Sequence, residues 1–178
     1  MEKTLWIVDA SYLLHAAPKH FDYLKLKQIL EGCVGAEFKS SYYLNSCGDP
    51  PSEAQNAFHT WLKTAPPQGP KMRVKLYKLK DLQVKCPSCS STFSRDVQKG
   101  VDVGIATLIV KLAAQHQFDR LVLCAGDGDF EDAIAFAKEE CGKEIVISGF
   151  HNTVSPDLQS YADRVIWLDE HIDAVAKD

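Results

Sequence analysis

Four aspartates stand at positions from which their carboxylates could act together. Asp9 ends an apolar run that is typical of a buried parallel strand. Asp127 and Asp129 follow a second such run, and Asp102 opens a very apolar predicted helix. Because the carboxyl ends of parallel strands meet at one edge of a sheet, we expect Asp9 and Asp127 to lie close together. Asp102 joins them if the chain crosses back to that edge before its helix.

Clustered carboxylates raise one another's pKa unless a cation neutralises them. Mg²⁺ and Mn²⁺ prefer oxygen ligands and keep bound waters that can become nucleophiles. The pattern therefore predicts a divalent-metal site made of Asp9, Asp102, Asp127 and Asp129. Each acid also has a plainer interpretation: Asp102 and Asp129 could cap helices and Asp127 could be a turn residue, whereas Asp9 has no obvious capping role. His15, close to Asp9 in sequence, could face substrate, but a partly buried helix histidine is the favoured interpretation.

Basic residues are concentrated in one part of an acidic chain. The net charge is −4, yet residues 71–99 hold eight basic and two acidic residues, so this segment is +6 and the rest of the chain is −10. Lys71, Arg73 and Lys75 alternate with apolar residues, so a strand would place the three charges on one face. This face, with Lys99, is a candidate nucleic-acid surface, and a merely solvated edge strand is the alternative.

Cys86 and Cys89 form a CxxC pair that resembles one knuckle of a zinc ribbon. Such a knuckle supplies two of the four ligands that a structural Zn²⁺ ion needs. Cys47 or His59 could complete the site, or two knuckles could meet across a homodimer. A hairpin tip with unliganded thiols is the alternative. The acidic residue within the first ten residues argues against a signal peptide, so we expect a cytoplasmic protein with reduced thiols.

Strands and helices alternate along the chain, which favours an α/β fold with a mostly parallel sheet covered on both faces. The length of 178 residues suits one domain, 1–178, with residues 80–98 as a hairpin excursion. No apolar run is long enough to span a membrane. The predicted strands are 5–9, 38–44, 71–79, 120–125, 144–148 and 164–168, and the predicted helices are 22–34, 50–63, 101–116, 130–141 and one beginning at Ser155.

Three motifs contain the four aspartates: Trp6-Ile7-Val8-Asp9, Lys99-Gly100-Val101-Asp102-Val103 and Gly126-Asp127-Gly128-Asp129-Phe130. Together with Gly149-Phe150 and Ser155-Pro156-Asp157-Leu158 in the tail, they resemble the NYN domain, a branch of the PIN-like nuclease superfamily, and its LabA-like bacterial members in particular. This resemblance implies a Rossmann-like sheet, metal-dependent cleavage of RNA, and an acidic pocket of Asp9, Asp102, Asp127 and Asp129. Two features depart from the family pattern: Ser11 stands where many members have asparagine, and the Cys86–Cys89 excursion is additional.

Three functions are compatible with the sequence. The first is a metal-dependent ribonuclease that binds RNA through the basic residues, and we expect its cleavage to be endonucleolytic. The second is a phosphohydrolase similar to the HAD family, with Asp9 as nucleophile, although Ser11 stands where that family has its general acid. The third is a catalytically idle module that binds RNA or protein.

Overall fold

The computed structural model describes residues 2–17, 20–85, 87–97 and 100–176. Its centre is a six-stranded sheet in which every neighbouring pair of strands is parallel. The apolar strands of this sheet are continuous runs of apolar residues, as expected of strands that are buried on both faces. The strands are β1 (Thr4–Asp9), β2 (Phe38–Cys47), β3 (Arg73–Lys78), β6 (Arg120–Cys124), β7 (Glu144–Gly149) and β8 (Arg164–Trp167), and β4 (Lys80–Lys85) pairs antiparallel with β5 (Thr92–Val97) as a separate hairpin.

The order of the strands in the sheet is β3-β2-β1-β6-β7-β8. The chain therefore builds outward from β1 to β3, returns to the centre, and builds outward in the other direction from β6 to β8. The point between β1 and β6 is where this order reverses. In open parallel sheets, the crevice at the carboxyl ends of the strands at such a point is the usual place for a binding site.

Helices cover both faces of the sheet. One face packs against α4, α5 and α6, and the other packs against α1, α2, α3 and α7. The helices are α1 (Ala10–Ala16), α2 (Tyr23–Val34), α3 (Glu53–Lys63), α4 (Val101–Ala114), α5 (Glu131–Ala135), α6 (Pro156–Tyr161) and α7 (Ile172–Val175). No helix in the described ranges is both long and apolar enough to cross a bilayer.

The predicted α/β architecture is confirmed, and the predicted elements are present with shifted ends. Helix α6 begins as predicted, with the Ser155 side chain accepting a hydrogen bond from Leu158 N and with Pro156 in the first turn. Helix α1 contains His15, which was expected to be a helix residue, but no bounds were predicted for this helix. The predicted helix 130–141 is a short 3₁₀ turn at Gly128–Phe130, then α5, then a π turn at Phe136–Glu140.

The prediction of a strand starting at Lys71 was wrong by two residues. Lys71 has a positive φ of 58°, and its amide donates a hydrogen bond to Thr64 O, so it belongs to the turn before β3. The hairpin of β4 and β5 begins just after β3 ends and leads back to the start of α4. Its two connections to the domain are therefore at the carboxyl edge of the sheet.

Candidate functional site

Asp9 is the last residue of β1, and its side chain is 5% exposed. Its Oδ1 accepts a hydrogen bond from Tyr12 N at 3.2 Å and so caps α1, which starts at the next residue. The expectation that Asp9 has no capping role was therefore wrong. Burial raises the pKa of Asp9 to about 6, with a further increase from the carboxylates of Asp102 and Asp127 and a partial offset from the hydrogen bond of the Tyr12 amide.

Asp9, Asp102 and Asp127 line one open cavity of about 500 Å³. Asp127 follows β6, the strand next to β1, and Asp102 lies in the first turn of α4. Asp102 does not cap its helix, because the N-cap residue is Gly100 and that end has no side-chain cap. Burial raises the pKa of Asp102, and the charges of Asp127 and Asp129 raise it further. The fold thus brings together three acids from distant parts of the sequence.

Asp129 lies beside this cavity rather than in it. It lines an adjoining cavity of about 450 Å³, which Asp102 also lines. Asp127 Oδ1 accepts a hydrogen bond from Asp129 N at 3.1 Å and caps the 3₁₀ turn that follows. Asp127, not Asp129, is therefore the capping residue here, and the cap fixes the direction of its carboxylate toward the cavity shared with Asp9.

The walls of the first cavity come from α1 and from the segment between β7 and α6. Ser11, Tyr12 and His15 contribute from α1, and Thr153 contributes from the other side. His15 is exposed, so the expectation of a partly buried histidine was wrong. Ser11 is half-buried and places a hydroxyl in the position where the resembled family has an amide.

Tyr12, which sequence reasoning did not single out, joins these two walls. Its phenol oxygen is 2.6 Å from Thr153 Oγ1 and accepts a hydrogen bond from Phe150 N at 2.9 Å. A side chain at Gly126 would collide with the Tyr12 ring and with the carbonyl of Thr153, and one at Gly149 would collide with Tyr12 and Val154. Glycine at both strand ends is the sequence signal of this close approach.

The donors of this site suit a hard divalent cation. Asp9 is a buried carboxylate whose neighbouring charges are the negative charges of Asp102 and Asp127. Within the described ranges, no group of three or more His, Cys, Asp or Glu side chains is arranged so that it could hold a metal ion. Mg²⁺ does not need such a group, because it is usually held by one or two carboxylates together with waters. The residues present therefore fit a hydrated Mg²⁺ or Mn²⁺ ion.

Two basic residues of β3, Arg73 and Lys75, lie on the same face of the sheet as Asp9. Asp9 pairs with Leu44 of β2, which in turn pairs with Lys75, so these three residues are in register across neighbouring strands. Arg73 is partly engaged: its guanidinium lies 5.3 Å from the centre of the Tyr42 ring and donates a hydrogen bond to the Tyr42 hydroxyl. Lys75 is exposed.

One of the predicted basic residues, Lys71, does not share this strand face. Lys71 is exposed in the turn before β3, so the prediction that it shares the strand face was wrong. Lys99 lies outside the described residues.

The proposed zinc ligands are described only in part. Cys89 is exposed in the turn between β4 and β5, with its Sγ 2.8 Å from Ser91 Oγ. Cys86 lies outside the described residues. Cys47 is buried at the end of β2, and His59 is buried on α3 beside the rings of Tyr43 and Phe58.

One solved structure shares this architecture. A protein of unknown function from Vibrio parahaemolyticus has a similar structure, with a TM-score of 0.70, 22% sequence identity, and a match that covers 98% of this chain and 95% of that one. MurG of Acinetobacter baumannii matches with a TM-score of 0.44 and 11% identity, over 92% of this chain and 40% of that one. No curated protein matches the sequence.

The sequence model of the NYN domain matches residues 3–169, nearly the whole chain. The matched range contains the three acids of the shared cavity, the adjoining Asp129, and all six strands of the sheet. The chain therefore belongs to the NYN domain family, within the PIN-like nuclease superfamily.

Proposed function

We propose that this protein is a metal-dependent endoribonuclease. The observation that carries the proposal is the meeting of Asp9, Asp102 and Asp127 in one open cavity at the point where the strand order reverses. Membership of the NYN family supports nuclease chemistry and RNA as the substrate. It also favours this function over a phosphohydrolase that uses Asp9 as a nucleophile.

The Mg²⁺ or Mn²⁺ ion would be held by Asp9, Asp102 and Asp127. Asp129, which lines the adjoining cavity, would assist them. The chemistry available from a bound divalent ion is neutralisation of charge on the scissile phosphate and a water molecule of lowered pKa. The chain itself orients the acids: Asp9 is fixed by the Tyr12 amide and Asp127 by the Asp129 amide. The hydroxyls of Ser11 and Thr153 line the same cavity and can donate hydrogen bonds to phosphate oxygens.

The RNA backbone would be held by basic residues rather than read base by base. Lys75 is the best placed of these, because it is exposed and in register with Asp9. Arg73, Lys71 and Lys99 would add to the positive electrostatic potential that attracts the RNA phosphates. We also propose that Cys86 and Cys89 bind Zn²⁺ and that two hairpins can share one ion across a homodimer. A bound ion would order the hairpin that connects β3 with α4.

The experiment that tests the nuclease is incubation of circular single-stranded RNA with Mn²⁺. A circle has no ends, so its conversion to a linear product demonstrates endonucleolytic cleavage. We expect cleavage by the wild-type protein and its loss in Asp127→Asn. Glu37→Gln is the matched control, because Glu37 is an exposed carboxylate before β2, at the opposite edge of the sheet.

The wild-type protein and the two variants also define the results that would contradict the proposal. Cleavage by Asp127→Asn at the wild-type rate would show that a contaminating nuclease is responsible and would contradict the proposal. Intact circles with all three proteins, in Mn²⁺ and in Mg²⁺, would favour the idle binding module. Loss of cleavage in Asp127→Asn alone would support the assignment.

A further inference from the structure

His151 and Trp167 form a stacked pair outside the carboxylate cavity. Their ring centres are 4.4 Å apart and the planes are inclined by 21°. Asp169 fixes the imidazole in this position, since its Oδ2 lies 2.9 Å from His151 Nδ1 and also accepts a hydrogen bond from His151 N at 2.8 Å. The histidine ring is thus held flat against the indole by contacts on both its side chain and its backbone.

This pair lies at the same edge of the sheet as the acids. Gly149 ends β7 and Trp167 ends β8, and the two residues pair with each other across those strands. Strand β8 is three strands from β1, which corresponds to about 14 Å at the usual spacing of strands. Thr153, two residues after His151, lines the cavity that contains Asp9.

The stack is open to solvent on one side. The His151 side chain is 49% exposed although Trp167 covers one face of its ring. An exposed imidazole contributes little to the apolar core, so packing alone does not account for the two residues, Trp167 and Asp169, that hold it in place. A flat ring with a free face is the kind of surface on which unpaired bases stack.

We propose that His151, supported by Trp167 and oriented by Asp169, is a stacking subsite for one unpaired nucleobase of the RNA substrate. The inference rests on the proposed function, because it assumes that single-stranded RNA enters the neighbouring cavity. A base on His151 places the chain along the carboxyl edge of the sheet, with Thr153 between the base and the acids. Stacking is tolerant of base identity, so the subsite selects unpaired over paired RNA rather than one sequence over another.

The test is the binding of short single-stranded RNA without added divalent cation, so that no cleavage occurs. We expect His151→Ala to weaken binding roughly tenfold, within the range measured for removal of one stacking partner. His151→Phe keeps a flat ring and should bind within about twofold of wild type. His116→Asn is the matched control: His116 is an exposed histidine after α4, its φ is positive, and asparagine tolerates that backbone conformation.

An abasic scan connects the effect to a base. Oligonucleotides that lack one base at each position in turn should show a single position where the loss of the base weakens wild-type binding. At that position His151→Ala should lose nothing further, because the ring and the base act as a pair. Thermal melts of each variant confirm that the fold is intact, and Trp167→Phe provides a second variant that keeps a ring beneath the imidazole.

Three results would overturn the subsite: wild-type affinity in His151→Ala, a loss in His151→Phe as large as that in His151→Ala, or no coupled position in the scan. These results are independent of the nuclease assay. Cleavage of circular RNA with no effect of His151→Ala on binding would leave the proposed function standing without the subsite. Coupled binding at His151 without cleavage would support the subsite and contradict the nuclease.

Discussion

The phenol oxygen of Tyr12 and the hydroxyl of Thr153 lie 2.6 Å apart, and this contact joins the two walls of the candidate site. Tyr12 is held at its other end as well, because its backbone amide donates to Asp9 Oδ1. The residue whose amide is capped by Asp9 at the start of α1 is therefore also the residue that holds the segment after β7. One residue thus links Asp9 to both walls of the site.

Tyr12→Phe should destabilise the protein by about 1–3 kcal/mol. The substitution keeps the ring but removes the acceptor for Phe150 N and the partner of Thr153, and an unsatisfied buried amide costs about that much. Urea unfolding of both proteins measures the difference. Tyr161→Phe, at a half-buried tyrosine on α6, is the control, and an equal loss in both variants would contradict the assignment.

The pKa of Asp9, raised from 3.8 to about 6, makes stability depend on pH in a defined direction. Below pH 3.8 the Asp9 carboxyl group is protonated in both the folded and the unfolded state, so the free energy of unfolding does not depend on its titration. As the pH rises toward 6, the unfolded state loses this proton first, so stability falls, by about 3 kcal/mol for this group. Asp9→Asn should therefore be more stable than wild type at pH 7.5 and not at pH 4, in metal-free chemical denaturation.

Asp22→Asn is the control for that comparison. Asp22 caps α2 with hydrogen bonds from Leu24 N and Lys25 N, in the same way that Asp9 caps α1. It should show no gain at pH 7.5. A wild-type protein that is as stable as Asp9→Asn at pH 7.5 would show that the buried carboxylate is not the source of the effect.

Divalent cations should stabilise the wild-type protein. Mn²⁺ or Mg²⁺ that binds only the folded state raises the melting temperature, and the rise grows with the logarithm of the metal concentration once this exceeds the Kd, because the unfolded chain has no assembled site. We expect a rise of several degrees in millimolar Mn²⁺ at pH 7.5, a smaller rise in Asp102→Asn, and none in Asp9→Asn. Glu37→Gln should respond as wild type does, and an unchanged response in Asp9→Asn would place the ion elsewhere.

Lys75→Glu should weaken RNA binding and reduce its dependence on salt. Each phosphate contact contributes about 0.7 to the slope of log affinity against log salt for a single strand. Arg73→Glu should have a smaller effect on that slope, because the Tyr42 ring already covers the guanidinium. Filter binding at several salt concentrations measures both. Lys39→Glu, at an exposed lysine near the amino end of β2, is the control, and an equal effect there would indicate a general charge effect.

Metal analysis of protein purified without added zinc tests the CxxC pair. About half an ion per chain, lost in Cys86→Ser, is the result expected of a site shared by two chains. A full ion per chain would implicate Cys47 or His59 instead. Absence of zinc, together with reactive thiols at Cys86 and Cys89, would contradict the proposal and leave an unliganded hairpin.

The sequence predicted the sheet well because its strands are continuous apolar runs, such as Trp6-Ile7-Val8. It placed His15 in a helix but did not predict where α1 begins, because this helix starts directly at Ala10, with no turn between it and β1. The same omission led to the wrong conclusion that Asp9 has no capping role. The 3₁₀ and π turns on either side of α5 were also missed, since they keep the apolar periodicity of one continuous helix.

The meeting of Asp9, Asp102 and Asp127 in one cavity follows from strand ends that the sequence does reveal. The contacts of Tyr12 with Thr153, and of His151 with Trp167, could not be predicted in the same way. The first joins segments that follow β1 and β7, which are separated by β6, and the second joins the segment after β7 to the end of the neighbouring strand β8. The glycines at 126 and 149 were visible, but glycine alone does not reveal which ring approaches it.

The acids of the site come from both sides of the hairpin formed by β4 and β5. Asp9 belongs to the part of the chain that precedes the hairpin, and Asp102 and Asp127 belong to the part that follows it. Neither part alone contains a complete set, although each part contains three neighbouring strands of the sheet. Cleaving the chain at the hairpin tip, near Ser90, would therefore divide it into two complementary fragments, and recovery of RNA cleavage on mixing them would report their reassembly.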